Sequence, residues 1–283
     1  MNRQFSLAQL TVLNCAPPEM TYLAARAGYD FVSFRLIPVG TPGEPKYLPQ
    51  DNAMLRHTKA ALAETGLKML DLELARIVAG LDPKSYLPAM EAAAELGARH
   101  VISSAWTTDR SDRNFLVDCF GQICDLAKPL GMTVDLEFPS FSRLTNLQEA
   151  ADVVRAANRE NAGILVDTLY IHFSHVALDE LSALPRNWFH LAHLCDGPKE
   201  VPTMRGDMIH VVRDARLYVG EGAIDIAAIL DRLPRIPYSI ELPHLQRVAE
   251  YGYEEHARRC LDAAKRYLDA HVSIHCKHEA VTA

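Results

Sequence analysis

The chain has 283 residues, 49% of them hydrophobic, and a formal net charge of -7. Such a length supports one large core or two small ones, and the acidic balance offers no basic face to neutralise a nucleic-acid backbone. Six cysteines (Cys15, Cys119, Cys124, Cys195, Cys260, Cys276) fall in no CxxC pair and no disulfide framework, so reduced thiols in a cytoplasmic protein are expected.

The opening residues lack the apolar core of a signal peptide, and no window is long enough to span a membrane. Phe5 to Leu13 reads as a first strand, followed by a helix through Tyr22 to Ala27 that Gly28 stops. YDFVSFRLIP is a second strand ending at Pro38, and Thr41 to Gln50 is a Pro- and Gly-rich loop beyond it. Asp51 caps a helix to Glu64, Leu67 to Leu74 is a third strand, and Pro83 to Leu96 is a helix. RHVISSA is the fourth strand, Arg113 to Leu130 the next helix, and Met132 to Phe138 the fifth strand.

Asn146 to Asn158 is helical, GILVD is the sixth strand, and Ala177 to Leu184 is a short helix. WFHLAHL, a helix over Asp225 to Leu233, YSIEL and a long amphipathic helix over Tyr253 to Ala270 complete the pattern. Strand and helix thus alternate eight times, with recurring helix–Gly–strand junctions at Gly28, Gly66, Gly97 and Gly131. This alternation predicts parallel pairing with right-handed crossovers, and a single (β/α)8 TIM barrel, whose usual size is about 250 residues. A doubly wound open sheet would carry a glycine-rich phosphate turn, and neither GxGxxG nor GxxxxGK[ST] is present. The barrel domain is assigned to residues 1–270 and a tail to 271–283, where His271, His275, Cys276 and His278 match no closed zinc spacing.

Active sites of such barrels lie at the C-terminal ends of the strands. Glu137, Asp167, His193 and Glu241 occupy that position on the fifth to eighth strands. Any one of them alone is best read as a solvated or salt-bridged polar residue at a strand mouth. Together, three carboxylates and an imidazole suit a divalent cation, Mn²⁺ or Mg²⁺ first and Co²⁺ or Zn²⁺ next. Such a cation polarises a carbonyl, and an adjacent carbon then loses its proton to give an enediolate. Glu137 and Glu241 are candidates both as ligands and as the acid and base.

The segments VDLEF around Glu137, ILVDTLY around Asp167, HLCDGP after His193, YVGEGAIDIAAIL from Tyr218 and SIELP around Glu241 resemble the sugar phosphate isomerase/epimerase superfamily. This superfamily has the xylose isomerase-like barrel and includes ketose 3-epimerases, inosose dehydratases and dehydroshikimate dehydratases. The resemblance runs from Leu7 to about Leu268 and implies that the four strand-end residues bind metal, with Glu137 and Glu241 flanking the reacting carbon. Relatives place a substrate-binding His three residues after the aspartate ligand; here that position is Tyr170, with His172 two further on.

Further substrate contacts are expected from Arg35, Glu73, Trp106, Asp196 and Arg216, each with a plainer alternative. The arginines suit a carboxylate, hydroxyl or phosphate or else a surface pair, and Glu73 suits the pocket or a salt bridge with Arg35 or Arg76. Asp196 could orient an imidazole or cap a turn, and Trp106 could wall a sugar pocket or simply pack at the rim. His100 and His190 fall away from the mouth and read as structural.

The leading expectation is a metal-dependent isomerase or epimerase of a small keto-sugar or cyclic polyol; the alternative is a dehydratase on the same scaffold. Analogy with related barrels suggests a homodimer or homotetramer. A nuclease for abasic DNA is disfavoured by the acidic charge, and a serine hydrolase by the absence of GxSxG. A non-catalytic binding barrel remains as a reading from another class, in which the Gln variants of Glu137 and Glu241 keep ligand affinity.

Overall fold

A computed structural model describes residues 3–41, 43–107 and 113–275, with 272–275 by backbone alone. The first half of the chain runs β1 (Phe5–Ala8), α1 (Pro17–Ala27), β2 (Phe31–Arg35), α2 (Asn52–Thr65), β3 (Lys68–Ile77), α3 (Leu87–Glu95), β4 (His100–Ala105) and α4 (Arg113–Ala127). It continues through β5 (Thr133–Glu137), α5 (Leu147–Ala157), β6 (Ala162–Ile164), β7 (Val166–Asp167), α6 (Thr168–Phe173), α7 (Leu178–Ser182) and β8 (Ala192–Leu194). The last elements are α8 (Arg205–Asp214), α9 (Ile226–Leu230), β9 (Tyr238–Ile240) and α10 (Leu245–His275). Cys276 and His278 of the expected tail lie outside the described residues.

Helix ends follow their local chemistry. Pro17 starts α1, where its missing N–H costs nothing, and Gly28 ends it at φ 90°, a left-handed turn that a side chain would strain. The Asp51 carboxylate accepts from the Ala53 and Met54 amides to start α2.

Among the described residues the strands pair in parallel, in the order β6-β5-β4-β3-β2-β1-β9-β8-β7, and antiparallel pairing is confined to isolated bridges outside them, Asp196 with Leu217 and Ala215 with His244. β6 and β7 flank Leu165 and are the two halves of the expected sixth strand; β6 pairs with β5 and β7 with β8, so the barrel is nearly closed. The expected first strand is shorter than the sequence suggests: from Gln9 to Val12 the chain turns into a 3-10 helix, and Thr11 Oγ1 donates to the Ile240 carbonyl and accepts from the Leu242 amide. α6 and α8 were not expected. The TLYIHF run of α6 continues an apolar stretch, but the Asp167 carboxylate accepts from the Leu169 amide and turns strand into helix there.

Alternation along the strands separates two environments. Val101, Val134, Leu136, Ile164, Val166, Leu194 and Ile240 are completely buried in the layer beneath the helices. Ile102, of opposite parity to Val101, belongs with Leu70, Leu74, Leu165 and Leu191 to a second, smaller apolar cluster. Asp135 is its register partner on β5, and Glu137 follows two residues later on the same face.

Candidate active site

β5 and β7 end on Glu137 and Asp167, His193 lies in β8, and Glu241 follows β9 directly. Register carries them to one level: Asp167 is opposite His193, and His193 opposite Ser239, two residues before Glu241. Asp167, His193 and Glu241 present potential ligand atoms within 4.8 Å of one another. Glu137 stands outside that trio but lines the same cavity as His193 and Glu241.

The charges are strongly perturbed. Burial, then the Glu241 charge, pushes the Glu137 carboxyl up to about 8. Burial alone would hold the His193 imidazolium down, but the carboxylates of Glu241, Glu73 and Asp167 outweigh it and raise the group to about 10. Burial likewise opposes ionisation of Glu241, yet the Arg216 guanidinium and His193 hold its carboxyl well below the usual range.

His193 is 1% exposed, and neither ring nitrogen has a hydrogen-bond partner among the described residues. Its Nδ1 lies 3.3 Å from Glu241 Oε2 without the alignment of a hydrogen bond, and 4.0 Å from Asp167 Oδ2. A buried imidazole with neither nitrogen in an aligned hydrogen bond, facing an excess of carboxylates, is a donor set that a divalent cation fits.

Arg216 is completely buried. Its Nη1 is 2.8 Å from Asp167 Oδ2, its Nη2 2.7 Å from Glu241 Oε2, and its Nε donates to the Val212 carbonyl at 2.8 Å. It sits behind two of the would-be ligands rather than on the cavity wall, as outer partners of metal-binding carboxylates do.

The cavity has a volume of about 580 Å³. Of the expected substrate contacts, Arg35, Glu73, Trp106 and Tyr170 are on its wall. Arg35 donates through Nε and Nη2 to Glu73 Oε2 at 3.1 and 2.6 Å, and not Arg76 but Arg35 is the partner of Glu73. Arg76 instead lies over the Trp106 ring at 5.7 Å. His172, Asp196 and Arg216 are absent from the wall. The His172 ring is 2.9 Å from the Pro198 carbonyl. The Asp196 carboxylate accepts four backbone amides, those of Gly197, Gly220, Gly222 and Ile224, at 2.8 to 3.1 Å.

Two features escaped the sequence reading. Asp71, completely buried on β3, forms a second group with Glu73 and His193 within 4.8 Å; burial, then Glu73, raises it to about 7. An aspartate inside the apolar run LKMLDLEL was the available signal. Arg143, Arg205 and Arg213 also line the cavity, from loop and helix positions without a strand-end signature.

Residues 22–264 match a family model described as xylose isomerase-like TIM barrel. The inosose isomerase of Bacillus velezensis is 24% identical over 276 residues, covering 91% of this chain and 92% of that one. The inosose isomerase of Bacillus subtilis is 23% identical over 193 residues, 63% of this chain and 67% of its own. Among solved structures, the IolI protein with a binding zinc atom superposes with a TM-score of 0.77 at 20% identity, over 95% of this chain and 99% of that chain. D-allulose 3-epimerase from Methylomonas sp. in complex with D-allulose gives 0.69 at 17% identity, over 94% and 97%. At such identities the structural likeness speaks for the fold.

Proposed function

Because the chain belongs to the xylose isomerase-like TIM barrel family, we propose that it is a divalent-metal-dependent isomerase or epimerase of a small keto-sugar or cyclic polyol. Support comes from relatives named inosose isomerase and a structural neighbour named for allulose epimerisation. The observation that carries the reading is that Glu137 and Glu241 line one cavity with a buried His193 whose ring nitrogens make no aligned hydrogen bond among the described residues. In this reading Glu137, Asp167, His193 and Glu241 hold the cation.

The bound ion supplies Lewis acidity, making the hydrogen beside a substrate carbonyl more acidic. Glu137 and Glu241 then take and return that proton; a carboxyl on either side of the carbon is what inversion or migration requires. Their proton affinities are already separated, Glu137 raised by burial and the Glu241 charge, and Glu241 held down against its burial by Arg216 and His193; such a separation is how one site holds an acid and a base at once. The Arg35–Glu73 pair orients substrate hydroxyls, since it offers both donors and an acceptor at the wall. Trp106, Phe141 and Leu10 supply apolar surface that excludes water. Dehydration on the same scaffold shares the proton removal and differs in expelling a β-hydroxyl. No described helix is long and apolar enough to cross a membrane, in keeping with a cytoplasmic enzyme on a small diffusible substrate.

The test joins metal analysis to turnover. Titration should load one divalent ion per chain that is lost in the Glu137→Ala, Asp167→Ala double variant. Glu137→Gln and Glu241→Gln should each lower turnover of ketoses or inososes at least ~100-fold, the lower end for removing a general acid or base. A new enone absorbance would identify a dehydratase. Absence of any binding that depends on Glu137 and Asp167 sinks the reading.

A further inference from the structure

A second set of metal-ligating side chains lies lower in the barrel. His100 opens β4, Asp135 is the third residue of β5, and His190 precedes β8. Ser104, the register partner of Glu137, is four residues beyond His100, so His100 is roughly 13 Å below the candidate active site at ~3.3 Å per residue.

The geometry is that of a convergent site. His190 Nδ1 is 2.6 Å from Asp135 Oδ1, and His100 Nδ1 is 3.8 Å from Asp135 Oδ2. One ligand atom from each of the three lies within 4.8 Å of the other two. A tetrahedral ion with bonds of about 2.0–2.1 Å holds its ligand atoms about 3.3 Å apart, inside this spread.

The side chains are also held in place. The imidazoles stack at 5.8 Å with 17° between planes, and Thr133 Oγ1 bridges His100 Nδ1 at 2.8 Å and Asp135 Oδ2 at 2.9 Å. Gly163 makes room: a Cβ there would collide with Asp135 Oδ1, the Trp188 carbonyl and His190 Nδ1, the last at 2.6 Å. Asp135 is completely buried, while the imidazoles keep 14% and 20% of their surface, enough for solvent to reach them.

We propose that His100, Asp135 and His190 form a second divalent-cation site, separate from the active site, that ties β4, β5 and the segment before β8 together. Two imidazoles and one carboxylate select a borderline first-row ion such as Zn²⁺ or Co²⁺ over Mg²⁺ or Ca²⁺, with water completing the coordination. Its role is structural, since the cavity wall includes none of the three residues.

The experiment titrates Co²⁺ into the metal-stripped full chain, following visible absorbance and metal retained after gel filtration. Wild type is compared with the His100→Gln, His190→Gln double variant and with Glu137→Ala, Asp167→Ala. The histidines and cysteine near the C-terminus contribute equally to all three, so differences isolate each site. The double-Gln variant should bind one Co²⁺ fewer than wild type, and Zn²⁺ should still raise Tm in the Glu137/Asp167 variant while raising it less in the double-Gln variant than in wild type. Should the double-Gln variant not fold by circular dichroism, single His190→Gln should show Co²⁺ affinity at least ~10-fold weaker at this site. Unchanged stoichiometry and affinity in a folded histidine variant overturns the proposal. Loss of Co²⁺ only in the Glu137/Asp167 variant does so too, leaving the active-site reading intact.

Discussion

Replacing Arg216 tests whether a buried cation holds the active-site carboxylates together. Arg216→Met keeps most of the length of the side chain and removes the guanidinium. Asp167 and Glu241 would then be left buried without the partner at 2.8 and 2.7 Å, and the Val212 carbonyl would lose its donor. Deleting one member of a buried ion pair costs ~3–5 kcal/mol. At roughly 2–4 °C of Tm per kcal/mol for large domains, the expected drop is about 6–20 °C.

The assay is urea and thermal unfolding of the metal-stripped protein at pH 7, repeated on acidification. Glu241 has its folded-state pKa depressed, so its contribution is present above the unfolded value and is lost as pH falls through the folded one. Arg216 is the leading favourable cause of that depression, so the gap between wild type and variant should narrow below about pH 4.5. Arg216→Lys should recover only part of the loss, because an ammonium cannot reproduce the fork that reaches both carboxylates. A loss under ~1 kcal/mol in Arg216→Met would refute the reasoning.

Two other residues give sharp expectations. His256 is completely buried, its Nε2 2.9 Å from the Leu242 carbonyl and its Nδ1 3.1 Å from Tyr218 Oη, and burial lowers its pKa to about 4. The unfolded chain takes up that proton below ~6.5, so stability should fall with acid by up to ~1.4 kcal/mol per pH step, about 3 kcal/mol by pH 4. Urea midpoints at pH 7, 5.5 and 4.5 should therefore decline more steeply in wild type than in His256→Gln, and equal slopes would count against it. Asp196→Asn leaves one acceptor oxygen for four amides and should cost about 3 kcal/mol, with faster hydrogen exchange at Gly220 and Gly222. Unchanged exchange would show that the loop does not depend on this carboxylate.

The barrel was legible because its evidence is local and repeated. Helix, terminal glycine and apolar strand recur, and a charged residue ending such a strand has one place to go. What failed was anything set by partners distant in sequence. Arg216 and Asp196 carry the same charges whether they meet substrate or protein; only folding shows one bracing Asp167 and Glu241 and the other gathering amides. α8 was missed because RGDMIHVVRD has a single fully buried residue, Val212, and no side-chain cap at Met204. The sixth strand read as continuous, yet it breaks at Leu165, where the ladder changes partner from β5 to β8. Asp71 went unremarked because a lone carboxylate in an apolar strand acquires meaning only beside Glu73 and His193.

The pairing of Phe5, Ser6 and Leu7 with Tyr238, Ser239 and Ile240 bears on how the protein is made. On the ribosome, β1 emerges before both its neighbours, and the second of them, β9, follows more than two hundred residues later. At about 5–20 residues per second, roughly 12–45 s pass with one edge of the nascent sheet open. The contacts that seal this seam, Tyr29 with the Ala257 carbonyl, Arg26 with Glu254 and Arg3 with Asp269, all wait for α10. An open parallel edge is a template for association with other chains, so translation speed and holding chaperones set how much of the early chain survives to close.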